Sequence, residues 1–156
     1  MSRLQEYFPP QKRADMLKQN FRILLTDDAD NDRRLVKLAL EDLGYPPEIL
    51  LQFSSGEELL AFLEKEDEKR KTESVILLDL NMPKLDGKAT LRKIKEKKLS
   101  CVPVVIYSTS ANDVDVRECY ALGSAAYIVK PESIEGIEKA FKSLIEFYSQ
   151  TRIVEC

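Results

Sequence analysis

Five short apolar runs punctuate the chain at near-regular intervals: residues 21–26, 49–53, 75–80, 102–107 and 125–129. They are continuously apolar rather than alternating, which is the pattern of strands covered on both faces and therefore of a parallel sheet. Between them, apolar positions recur with helical spacing over 32–43, 56–68, 88–97 and 113–122, and Gly44 and Gly123 stand where two of these helices should stop. A last helix is predicted over 133–148, where Ile134, Ile137, Phe141, Leu144, Ile145 and Tyr148 fall on one face. Strand then helix, repeated five times, predicts an α/β fold with a doubly wound five-stranded parallel sheet and helices on both faces. In such sheets the ligand site lies at the carboxyl ends of the strands.

Two stretches fall outside this plan. The first 20 residues contain Pro9-Pro10 and a weak helical pattern over 11–19, with Ala14 and Leu17 as its apolar pair, and read as an amino-terminal extension. The run 64–73 mixes five acids with four bases and reads as a solvated helix end and loop. The expected organisation is thus an extension over 1–20, one domain over 21–148 and a tail over 149–156. With no second domain after the last helix, output is expected through protein contact.

Composition narrows the chemistry. A length of 156 residues suits one self-sufficient core, and 24 basic against 27 acidic residues, without a dominant basic block, lack the footprint of a dedicated nucleic-acid binder. No apolar stretch approaches the roughly 18–20 residues of a membrane span, and the first 20 residues lack the apolar middle of a signal peptide, so a cytoplasmic protein is expected. Cys101, Cys119 and Cys156 have no metal-type spacing and read as free thiols in a reducing compartment. The chain has no histidine, which removes Ser-His-Asp and Cys-His catalysis, His-ligated zinc and an imidazole general base. A site here must be built from carboxylates, hydroxyls, amines and backbone.

Such groups stand at four strand ends: Asp27-Asp28 after the first, Asp79 after the third, Ser108-Thr109-Ser110 after the fourth and Lys130-Pro131 after the fifth. Singly, each is ordinary, since acids cap helices and Lys-Pro makes turns. Together they lie along one edge of the predicted sheet. Asp27, Asp28 and Asp79 would repel one another unless a cation sat among them. Carboxylate oxygens without His or Cys suit Mg²⁺, which keeps coordinated water that a phosphate can replace. Lys130 adds an ammonium and Ser108 a hydroxyl. A metal, a cation and a donor converging on one carboxylate suit phosphoryl transfer with Asp79 as nucleophile, because a carboxylate attacks without needing a general base.

These residues resemble the receiver domain of two-component response regulators over about 21–148. The motifs are Asp27-Asp28, Asp79-Leu-Asn-Met-Pro83 with Asp86-Gly87, Pro103-Val-Val-Ile-Tyr-Ser108, and Tyr127-Ile-Val-Lys130-Pro131. The texture is similar to stand-alone, chemotaxis-regulator-like receivers and to those paired with phytochrome-type kinases. The resemblance implies a flavodoxin-like strand order 2-1-3-4-5. It also implies that Asp79 accepts phosphate from a phosphohistidine on a sensor kinase or phosphotransfer protein. Mg²⁺ would be held by Asp28, Asp79 and the Asn81 backbone carbonyl, with Asp27 acting through water. Ser108 and Lys130 would contact phosphoryl oxygens, the Lys130–Pro131 peptide being cis. Ser108 and Tyr127 would form the switch, reshaping the face of the fourth helix, fifth strand and fifth helix for a downstream protein target or a homodimer, with no nucleic acid or membrane as partner. Ser108 stands where threonine is commoner, and Ser110, like Asn81, at a position that influences phosphate lifetime.

Two other readings compete. An aspartate-nucleophile phosphohydrolase would carry a second acid two residues after Asp79, where Asn81 stands. A receiver-fold interaction module without phosphorylation would have little use for the intact acids, Ser108 and Lys130.

Overall fold

Strand and helix alternate along the whole described chain, which in this computed structural model comprises residues 20–97, 99 and 101–153. The strands are β1 (Arg22–Thr26), β2 (Leu50–Phe53), β3 (Ser74–Leu78), β4 (Val104–Ser108) and β5 (Ala126–Val129). The principal helices are α1 (Asp30–Asp42), α2 (Gly56–Lys65), α3 (Gly87–Glu96), α4 (Asp113–Ala121) and α5 (Ile134–Tyr148). All strand pairs are parallel, in the order β2-β1-β3-β4-β5. The expected doubly wound five-stranded sheet is therefore the fold.

Burial explains the apolar runs. Every residue of β1, β3 and β4 is buried, whereas β2 and β5, at the edges, are only partly covered. Successive side chains serve opposite layers. Ile23, Leu25, Val75, Leu77, Val105 and Tyr107 pack with α1 and α5. Leu24, Ile76, Leu78, Val104 and Ile106 pack with α2, α3 and the one buried residue of α4, Cys119. The thick layer under α5 centres on Phe141, whose ring meets Tyr107 edge-on at 5.4 Å.

Helix ends follow local chemistry. Ser55, Asp86, Asn112 and Ser133 each accept a backbone N–H of the following first turn, while Gly44 and Gly123 adopt positive φ after α1 and α4. The charged run 64–73 departs from expectation: α2 stops at Lys65 and a single helical turn forms over Glu68–Lys71. Lys71 is buried with its ammonium on Glu68, and Glu66 pairs with Arg22, which is buried at the start of β1 and also bonds the Ser74 hydroxyl. The reason is neighbourhood rather than composition, because a charged side chain enters the interior when its partner is already there.

Cys119 is a free, buried thiol, but Cys101 is disulfide-bonded, so the expectation of free thiols fails there; sequence spacing does not report which sulfurs the fold brings together. The helical pattern over 11–19 and Cys156 lie outside the described residues. Among the described residues, no helix is long and apolar enough to cross a membrane.

Truncating Phe141, which is 2% exposed, should be the severest test of this packing. Phe141→Ala is expected to lower the unfolding free energy in urea by about 3–5 kcal/mol. Leu38→Ala, on the exposed side of α1, should change it by less than about 0.5 kcal/mol.

Candidate functional site

The sheet assembles the site by holding strand ends in register. The Asp27 amide donates to the Phe53 carbonyl (3.1 Å), the Asp79 amide to Thr26 (3.0 Å) and the Lys130 amide to Ser108 (2.8 Å). Asp27, Asp79 and Lys130 thereby stand together at one sheet edge. Carboxylate oxygens of Asp27, Asp28 and Asp79 lie within 4.8 Å of one another. Asp27 and Asp79 are buried, and Asp28 faces solvent. Three hard oxygen ligands with one open side match the donor set of Mg²⁺-type cations, so the residues present fit such an ion.

Lys130 closes the cluster from the far side. Its ammonium is 2.7 Å from Asp27 Oδ2, 2.7 Å from Asp32 Oδ2 and 3.7 Å from Asp79 Oδ1. It also lies 5.6 Å from the Tyr107 ring centre. Burial works against the charged amine, but hydrogen bonds to Asp27 and Asp32 outweigh it and hold Lys130 above its ordinary pKa. Asp27 is fixed twice more, its Oδ1 accepting the Ala29 amide (2.9 Å) and its carbonyl accepting Arg33 (2.6 Å).

Asp79 is the strained member. Burial and the negative charge of Asp27 push its pKa up to about 6, with Asp28 adding to the rise, against Lys130 and the Asn81 backbone N–H, which stabilise the anion. Below it, Gly87 lets the start of α3 approach the β3 end backbone to backbone: a Cβ there would lie 2.2 Å from the Asp79 carbonyl oxygen. Asp86 is the α3 cap, its carboxylate accepting the Ala89 amide at 2.8 Å.

Ser108 and Tyr127, the residues expected to form a switch, are joined by one chain of contacts through Ser110. Buried Ser108 accepts the Ser110 amide at 3.2 Å. Tyr127 is half-buried against the α2–α3 layer and donates its hydroxyl to the Ser110 carbonyl at 2.8 Å. Ser110 donates to Asp115 (2.7 Å), whose other oxygen takes Lys88 at 2.6 Å, and Lys88 also pairs with Glu118. The Lys130–Pro131 bond is trans, as are all peptide bonds among the described residues, and not the cis form that the resemblance implies. Proline leaves trans favoured by about 0.5–1 kcal/mol, and Lys130 reaches the acids from that isomer.

Asp27, Asp28, Asp79, Ser108, Tyr127 and Lys130 were legible from sequence. Asp32 was not, since it reads as an ordinary acid in a first helical turn, and Gly87 stands in a motif that assigns it no role.

The Asp79 shift fixes the sign of a pH effect. A folded pKa of about 6 against 3.8 means that the folded chain holds this proton more tightly than the unfolded chain does. Stability from this group is present below about pH 4 and is lost as pH rises through 6, amounting to about 3 kcal/mol. In metal-free buffer, Asp79→Asn should therefore gain stability over the parent between pH 4 and 7, read from urea titrations at each pH. A constant difference across that window would contradict the assignment.

Comparison with known proteins agrees with this geometry. Residues 23–142 match the family model of the response regulator receiver domain. Response regulator Rcp1 of Synechocystis sp. is 33% identical over 132 residues, covering 83% of this chain and 89% of that protein. The crystal structure of the phosphorylated cyanobacterial phytochrome response regulator RcpA superposes with a TM-score of 0.71 at 31% identity, covering 86% of this chain and 98% of that one. The Mn²⁺-bound form of Rcp1 gives 0.69 at 32% identity, over 87% and 99%. With its acids, hydroxyl and lysine gathered at the carboxyl edge of a 2-1-3-4-5 sheet, the chain belongs to the response regulator receiver domain family.

Proposed function

We propose that this chain is a response regulator receiver that accepts a phosphoryl group on Asp79 from a phosphohistidine of a sensor histidine kinase or histidine phosphotransfer protein. The observation that carries the reading is the convergence of Asp27, Asp28 and Lys130 on the buried Asp79 carboxylate. Receiver domains are signalling modules rather than enzymes, and the transfer is a single event on the protein itself. An Asp79 oxygen attacks phosphorus, the histidine N–P bond breaks, and the imidazole leaves with the bonding pair, to be protonated from solvent. Mg²⁺ held by Asp28, Asp79 and the Asn81 carbonyl, with Asp27 behind a water, would neutralise phosphoryl oxygens. The Mn²⁺-bound form of the relative Rcp1 supports a divalent ion as the class of cofactor. Lys130 contributes its charge to a phosphoryl oxygen, and Ser108 turns its hydroxyl towards another.

Movement of Ser108 draws on the Ser110 amide and, through it, on Tyr127 and α4. That helix buries only Cys119 and leaves Val114 and Tyr120 60% and 50% exposed, so its displacement costs little packing. The face of α4, β5 and α5 is then the surface read by a downstream protein or a second copy. A location in the cytoplasm, where kinase modules act, accompanies this reading.

Two measurements test it. Incubation with acetyl phosphate and Mg²⁺ should modify Asp79, as seen by intact-mass and peptide spectrometry. The adduct should vanish in Asp79→Asn and persist in Asp86→Asn, which keeps the α3 cap. An adduct retained in Asp79→Asn would overturn the acceptor assignment. Sedimentation with and without beryllofluoride then separates the outputs: a shift to dimer supports self-association, and an unchanged monomer assigns the face to another protein.

A further inference from the structure

Asp32 belongs to none of the roles above, yet it makes one of the closest contacts in the site. It sits in the first turn of α1, where an acid also favours the helix dipole. Its contact exceeds that role, because its Oδ2 lies 2.7 Å from an ammonium 98 positions further along the chain. An ammonium has three N–H donors. Asp27 and Asp32 take one each, and Asp79 stands at 3.7 Å, beyond hydrogen-bond length.

We propose that Asp32 is a positioning residue that holds Lys130 back from Asp79, keeping the acceptor carboxylate available to the divalent cation and the incoming phosphoryl group; this rests on the acceptor assignment above. The Lys130 side chain is only 10% exposed, so an N–H released from Asp32 has little access to water and needs another acceptor. Asp79 Oδ1 is within a small side-chain movement of it. Once paired there, the ammonium occupies part of the space and the negative potential that a cation would use. Asp32 is itself the most exposed of the lysine's three carboxylate partners, with 37% of its side chain accessible against 1% for Asp27 and 7% for Asp79. Water can therefore take over its hydrogen bond when Lys130 leaves for a phosphoryl oxygen, so the same contact that restrains the lysine at rest can yield during transfer.

Calorimetric Mg²⁺ titration of a double-mutant cycle tests the proposal. Asp32→Ala should weaken Mg²⁺ binding about three- to tenfold, a coupling of the size contacting charges show. Asp32→Glu, which retains the charge and an acceptor, should recover most of the loss. In a Lys130→Met background, Asp32→Ala should change affinity by less than about twofold, because the residue acts through the lysine. An equal loss in both backgrounds would reduce Asp32 to a distant charge and overturn the proposal, as would Asp32→Ala binding like the parent. Failure of the parent itself to bind Mg²⁺ would instead count against the metal-dependent acceptor reading. The metal-free crystal structure of Asp32→Ala decides the inference independently. Lys130 within about 3.2 Å of Asp79 supports it, and an unchanged separation overturns it.

Discussion

Everything at the functional edge depends on keeping several like charges in a partly buried space. Asp27 and Asp79 are buried beside one another with Asp28 at their rim, and the Lys130 ammonium supplies a countercharge. The arrangement is costly to folding, and it is tolerated because the rest of the domain is an ordinary parallel sheet with a deeply buried centre. The three central strands bury every residue, and a hydrophobic layer lies on each face of the sheet. The core provides stability and the edge stores repulsion, so a divalent cation finds a site already short of positive charge.

The two regions are joined by particular side chains. Tyr107 lies in the α1–α5 layer against Phe141 while its ring faces the Lys130 ammonium. Packing in that layer therefore bears on where the lysine sits. Arg33 plays a comparable part from α1, anchoring the Asp27 carbonyl while pairing with Asp30. The acid cluster is thus supported from helix and strand alike.

Most of this was legible in the sequence because two periodicities and four strand-end clusters agreed. The apolar runs identified the strands to within two residues at each boundary, since burial on both faces leaves no room for polar alternation. The acids, Ser108 and Lys130 were legible because parallel strands place their carboxyl ends on one edge whatever the details of packing. What remained hidden depends on distance in space rather than on pattern. Asp32 acquires its role only when β5 brings Lys130 over α1. Lys71 and Arg22 look solvated until Glu68, Glu66 and Ser74 are seen beside them. The trans Lys130–Pro131 bond and the bonded Cys101 are likewise properties of the folded neighbourhood.

The close seat of Gly87 against the Asp79 carbonyl has a mechanical consequence. Backbone resting on backbone has no side chain to re-pack, so the start of α3 acts as an anvil beneath the acceptor. On the opposite wall, the loop after β4 is held by the exchangeable hydrogen bonds of Ser110, Asp115 and Lys88, and the helix beyond it has a single buried anchor. One wall is stiff and the other compliant. Under the proposed acceptor role, work done at Asp79 would thereby be rectified, emerging as displacement of the α4 side while the α3 side stays still.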